Sequence, residues 1–255
     1  MIPVQCRYMR REILHVPVDG VTRVEAVDRI AGFLDGSGSH MVTTPNPEML
    51  VAAASDSAFL RALQNADLAV PDGFGLIAVA KLLGTPLGER ITGVDCLLDI
   101  CRLAAEKHKS IFLLGGGEGV AKKTARVLEE RFPGLRVVGA ESGGIVDKKS
   151  AVPQIDTGAQ ARLIAVAPDV LFVAFGHSTQ EKWIAAHLGR LPSVRVAIGV
   201  GGAFDFLSGR VRRAPRIMRA LGLEWLWRLA LEPRRIGRIW NAVVVFPYLA
   251  LRRKG

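Results

Sequence analysis

Five short clusters in this chain carry residue types suited to chemistry, and each follows an apolar run. Thr43-Thr44-Pro45-Asn46-Pro47 offers hydroxyls and an amide, whose competing use is to cap the next helix. Pro71-Asp72-Gly73 sets one carboxylate between a residue that restricts the backbone and one that lets it turn. That displays Asp72 in a fixed pose, as a general base requires; an Asx turn or a helix cap is the alternative. Gly115, Gly116 and Gly117, in Leu114–Gly119, let backbone N–H groups approach a phosphate at a helix start. The spacing misses the dinucleotide fingerprint, because its last glycine would fall on Val120 or Lys122, and it suits a nucleotide diphosphate equally well. In Phe175–Trp183, Gln180 and Lys182 are placed to meet a sugar or phosphate, unless the segment is an ordinary capped helix start. Gly199–Phe206 repeats the design with Asp205 as its lone acid. Ligands bind outside the carboxyl ends of strands in open parallel sheets, and these clusters outnumber what capping alone requires.

Other chemistries find less support. There is no GxxxxGK[ST] loop, no G-x-S-x-G elbow, no HExxH and no Asp-x-Asp, and His40, His108, His177 and His187 are scattered. No metal site is expected. Cys6, Cys96 and Cys101 form no CxxC pair and are odd in number, which fits a reducing cytoplasm rather than a disulfide framework. The N-terminus lacks the apolar core of a secretory signal, and the longest apolar stretch near the end, Ala242–Leu251, is interrupted by Pro247 and too short to span a bilayer.

The elements that must position these clusters follow from the pattern. Short apolar runs (Ile13–Val18, His40–Thr44, Leu68–Val70, Ile111–Leu114, Leu135–Gly139, Val170–Phe175, Arg195–Val200) alternate with amphipathic stretches (Thr22–Leu34, Pro47–Gln64, Gly73–Leu83, Val120–Phe132, Thr179–Leu191). This predicts an α/β fold, a Rossmann-like parallel sheet with helices on both faces. Ser142–Gly158 reads as an exposed Gly-rich loop. With 255 residues, 49% of them hydrophobic, the chain can bury one such domain of residues 1–208 and still carry an appendage of residues 209–255.

Charge marks that appendage. It holds twelve basic and two acidic residues, which accounts for the whole net charge of +10, and three of the four tryptophans, Trp225, Trp227 and Trp240. Ile217, Leu221, Trp225 and Leu229 recur at i+4 and predict an amphipathic helix, and Pro233 divides the tail into two. Arginine segregated with tryptophan favours an anionic partner with an apolar neighbour, a membrane surface or lipid phosphate, over nucleic acid.

The collinear blocks TPNPEML, ADLAVPDGFGL, ERITGVDCL, FLLGGGEGVA, FVAFGHSTQEKW, GVGGAFDFLSG and RAPRIMRALGLEWLWRLALEPRR resemble the WecG/TagA/CpsF family of bacterial glycosyltransferases from about Ile13 to Tyr248. The resemblance implies inverting, metal-independent transfer of an N-acetylmannosamine-type sugar from a UDP-sugar to a sugar on a polyprenyl diphosphate. The enzyme would work without a cofactor, at the cytoplasmic face of the cell membrane. By motif it makes Asp72 the base and puts Thr44, Asn46, Arg90, Gln180 and Asp205 in the same pocket, with Arg228, Arg235 and Arg238 of the tail above it. The pair His177-Ser178 departs from the family pattern. Fixed cations and helix N-termini would then stabilise the leaving diphosphate. A non-catalytic membrane or nucleic-acid binding module and an NAD-linked oxidoreductase are the alternatives, and self-association is left open.

Overall fold

The structure, a computed structural model, describes residues 9–147, 150–215, 217–218 and 221–252. Cys6 and four cations of the tail, Arg216, Arg219, Arg253 and Lys254, lie outside the described residues. In chain order the body comprises β1 (Arg10–Ile13), β2 (Val16–Asp19), α1 (Arg23–Asp35), β3 (His40–Thr43), α2 (Pro47–Ala53), α3 (Ser57–Gln64), β4 (Leu68–Ala69), α4 (Phe74–Leu82) and α5 (Gly93–Glu106). It continues with β5 (Ser110–Gly115), α6 (Val120–Arg131), β6 (Arg136–Glu141), α7 (Thr157–Val166), β7 (Val170–Ala174), α8 (Thr179–His187), β8 (Val196–Gly199) and α9 (Ala203–Leu207).

Six strands form one parallel sheet in the order β4-β3-β8-β7-β5-β6. Helices α1, α5, α6 and α9 cover one face and α7 and α8 the other. Alternate residues of a strand therefore both find a core: Ile111 and Leu113 of β5 pack on the first side, Phe112 and Leu114 on the second. Burial on both faces is why these strands read as unbroken apolar runs.

Two departures from the expected elements have local causes. The run Ile13–Val18 is not one strand but part of a hairpin, β1 against β2, turning at Leu14 and His15 with φ of 51° and 65°. Two successive positive φ values match the twist of a tight hairpin, and Leu-His does not announce it as Asn-Gly would. The amphipathic stretch Pro47–Gln64 is two helices, because Asp56 caps α3 by accepting from the Phe59 N–H at 2.9 Å. Helices α5 and α7 are absent from the pattern-based elements. Yet α5 buries Val94, Leu97, Ile100, Cys101 and Ala104 at helical spacing, and Thr92 caps it by accepting from the Asp95 N–H at 3.2 Å, so the signal was present in the sequence.

The hairpin, α2, α3 and α4 enclose a second, smaller core around Leu50, Phe59 and Leu76, which also takes in Phe246 and Ala250 of the tail. The expected helix from Ile217 to Leu229 is not continuous: Ile217 and Met218 are helical, the chain turns at Gly222 with φ of 74°, and a new helix runs from Glu224 to Leu231. A 3-10 turn starts at Pro233, where a break is expected, and residues 236–252 form one further helix with a π turn at Asn241–Val245. No helix among the described residues is long and apolar enough to cross a membrane.

Candidate active site

The carboxyl ends of β3, β4, β5, β7 and β8 open into a single cleft of about 910 Å³, roofed by the tail. Every residue expected at the site lines it except Gly115, which lies one residue behind, and Lys182. Gly115 has φ of 113°, and a Cβ there would sit 2.6 Å from the Ala174 carbonyl oxygen, so only glycine lets β5 pass β7 this closely. The Gly116 N–H then donates to that same oxygen at 2.9 Å, which delivers Gly116 and Gly117 to the wall. A smaller hollow of about 500 Å³ shares Gly117 and Arg210 with the cleft.

Asp72 stands on the floor. Its N–H donates to the Pro45 carbonyl at 2.9 Å, which ties the PDG turn to the TPNP turn. Gly73, at φ of 91° and with no room for a Cβ beside Pro47, turns the chain into α4. The Asp72 carboxyl is pushed up to about 7, chiefly by burial; Arg90 and the Gly73 N–H pull it down, while Glu224 and Asp95 push it up. A carboxyl so placed takes a proton readily near neutral pH, as a general base must. Asn46 both lines the cleft and caps α2, accepting from the Met49 N–H at 3.0 Å, so the two uses open in the sequence coexist. Thr44 is buried beside it.

Cations line the same cleft. The Arg90 guanidinium lies over the Phe74 ring, 4.5 Å from its centroid, and 3.7 Å from the Glu224 carboxylate. Arg228 lies over Phe206 at 4.7 Å and close to Gly202, and pairs with Glu232 at 3.4 Å; Arg235 pairs with the same carboxylate. Arg238 donates to Glu48 and, through Nη2, to Nδ1 of His177 at 2.9 Å. The Arg235 guanidinium is held below its usual value by burial and then by Arg228 and Arg238, so the three crowd one another. Asp205 meets Arg210 at 3.7 Å. Crowded arginines facing a cleft favour a multivalent anion.

Gln180 and Lys182 part company. Gln180, buried at the start of α8, accepts from the Gly201 N–H at 3.0 Å and faces the cleft. Lys182 does not reach it. Two residues on, it points to the other side of the helix, where its ammonium pairs with Asp56 at 3.0 Å and fastens α8 to α3. Sequence reasoning also passed over Glu48, Phe74, Arg213, Glu224 and a cleft role for His177, all of which line the cavity. Glu48 and Glu224 lay inside the quoted blocks, but only the fold shows which arginines they oppose. Among the described residues, no three His, Cys, Asp or Glu side chains converge as a metal site would need.

An open parallel sheet whose strand ends present a buried carboxyl and several arginines to one cleft suits an enzyme acting on an anionic substrate. The chain belongs to the WecG/TagA/CpsF family of glycosyl transferases, whose family model matches residues 11–255. It is 33% identical over 215 residues, 84% of this chain and 79% of the relative, to an N-acetylglucosaminyldiphosphoundecaprenol N-acetyl-beta-D-mannosaminyltransferase of Bacillus spizizenii. It is 30% identical over 245 residues to proteins of the same name from Staphylococcus aureus strains MRSA252 and NCTC 8325, covering 95% of this chain and 92% of each. The protein is therefore a glycosyltransferase, and neither the NAD-linked oxidoreductase nor the non-catalytic binding module has support.

Proposed function

We propose that the protein transfers an N-acetylmannosamine-type sugar from a UDP-sugar to an N-acetylglucosamine carried on a polyprenyl diphosphate. The observation that carries this is Asp72, a carboxyl pushed up to about 7 on the floor of a cleft roofed by arginines. Asp72 takes the proton of the acceptor hydroxyl as that oxygen attacks the anomeric carbon. The bond from this carbon to the β-phosphate oxygen breaks on the opposite side, so the configuration inverts and UDP leaves. Arg90, Arg228, Arg235 and Arg238 take up the negative charge that develops on the diphosphate, with no metal or cofactor required. The names of the curated relatives support the choice of acceptor and transferred sugar.

The lipid-linked acceptor gives the tail a second task. Its surface shows Trp225, Leu226, Ile236, Trp240, Val243, Tyr248 and Leu251, all more than two-fifths exposed, among arginines. Such a face suits the anionic inner surface of the cell membrane, where the protein would sit peripherally.

The test is a panel of UDP-sugars offered with a short-chain polyprenyl diphosphate N-acetylglucosamine, with product read by mass spectrometry, with and without EDTA. Disaccharide from the N-acetylmannosamine donor, at a rate EDTA leaves unchanged, is the expected result. Product from another donor alone reassigns the sugar; none from any donor overturns the reaction.

A further inference from the structure

Glu181 is the most deeply buried carboxylate beside the cleft, 1% exposed, and the transfer reaction above makes no use of it. One oxygen, Oε1, accepts from Nε2 of Gln180 at 2.8 Å; the other, Oε2, has no hydrogen-bond partner. On the neighbouring strand Thr43, one residue past the Val42–Ile198 pair, also buries a hydroxyl without a partner. Packing alone does not call for a carboxylate at so buried a place. Burial pushes its carboxyl up to about 7, while the Gln180 amide and the backbone N–H groups of Glu181 and Ser178 at the start of α8 pull it down.

We infer that Glu181 is a positioning residue that acts through Gln180, fixing which way its side-chain amide faces. The Gln180 oxygen accepts from the Gly201 N–H at 3.0 Å, and its nitrogen donates to Glu181. A flipped amide would set N–H against N–H at Gly201 and oxygen against oxygen at Glu181. Once ionised, above about pH 7, the carboxylate only accepts, so it permits one orientation and leaves the second amide N–H for a ligand. The sheet leaves room for this pair only because residue 199 is glycine: a Cβ there would sit 2.6 Å from Gln180 Nε2 and 2.7 Å from Glu181 Oε1.

This role rests on the proposed transfer, and the test separates the two. Turnover on the UDP-sugar and lipid diphosphate acceptor is compared for wild type, Glu181→Gln, Gln180→Ala and the double variant, with thermal melting as the folding control. The expected result is a loss of about tenfold for Glu181→Gln, the effect of one misdirected hydrogen bond. In the Gln180→Ala background the same change costs nothing further. Losses that multiply, or a Glu181→Gln enzyme as active as wild type while Gln180→Ala is impaired, overturn the inference and leave the reaction standing. A wild type inert toward every donor overturns both. If Glu181→Gln does not fold, Gly199→Ala takes its place, since its methyl wedges the same contact: it is expected to slow wild type but not Gln180→Ala, and equal slowing of both overturns the inference.

Discussion

At the floor of the cleft, Gln180 and Glu181 are almost wholly buried at the start of α8, and backbone N–H groups at Gly201 and Gly73 meet the polar groups there. On the roof, Arg228, Arg235 and Arg238 come from a segment outside the sheet, stay partly exposed and pair with Glu232 and Glu48, which are themselves about one-third and one-fifth exposed. Ion pairs that water still reaches can exchange partners more readily than fully buried polar groups, which are set before any ligand arrives. On the proposed reaction, the base and the shape of the site are thus set in advance, and the arginines are shared with carboxylates that an anionic substrate would displace.

The sharpest way to break this contrast is at the floor. Asp72→Asn is expected to cut turnover by about 10²–10⁴ while UDP affinity, measured by calorimetry, stays near wild type. The same change should raise the melting temperature at pH 8. A carboxyl whose proton affinity is raised on folding opposes folding once pH passes the unfolded range near 4, fully so above about 7, and a neutral amide removes that opposition. At pH 4 the two proteins should melt together. On the roof the matched pair is Phe246 and Trp240. Phe246→Ala should destabilise by about 3–5 kcal/mol in chemical denaturation, because the ring is fully buried in the small core. Trp240→Ala, 60% exposed, should leave stability within about 0.5 kcal/mol and weaken flotation with anionic vesicles.

Single Arg228→Ala, Arg235→Ala and Arg238→Ala changes should each cost about 1.5–3 kcal/mol of transition-state stabilisation on a water-soluble acceptor, read as kcat/KM without any membrane. Full activity there would make the roof an anchor only. The smallest effect is expected where roof and floor meet. Glu224 pushes the Asp72 carboxyl up, so Glu224→Gln should let Asp72 ionise at lower pH and move the acid limb of the kcat/KM profile down. An unmoved limb would show that the two regions do not communicate through charge.

The floor was legible in the sequence and the roof only in part. Asp72 between Pro71 and Gly73, and the glycines after β5, are set by chain neighbours, so a local pattern reveals them. Arg238 finds Glu48, and Arg213 finds Asp95, across long stretches of chain that no spacing rule spans. The hairpin at Leu14-His15 was hidden for a different reason: a turn normally made with Asn or Gly is made here with residues that carry no turn signal. Lys182 shows the converse error, a residue inside the right block whose helical position turns it away.

Burial of Phe246 in the body's second core has a consequence for how the roof behaves. The segment from Gly209 to Val245 is pinned at both ends, by α9 before it and by this ring after it, so it forms a closed loop rather than a free arm. Two fixed ends hold the arginines between them at high effective concentration over the cleft, and re-closing after an excursion costs little chain entropy. The arginines thus belong to a strap across the cleft, not to a flap.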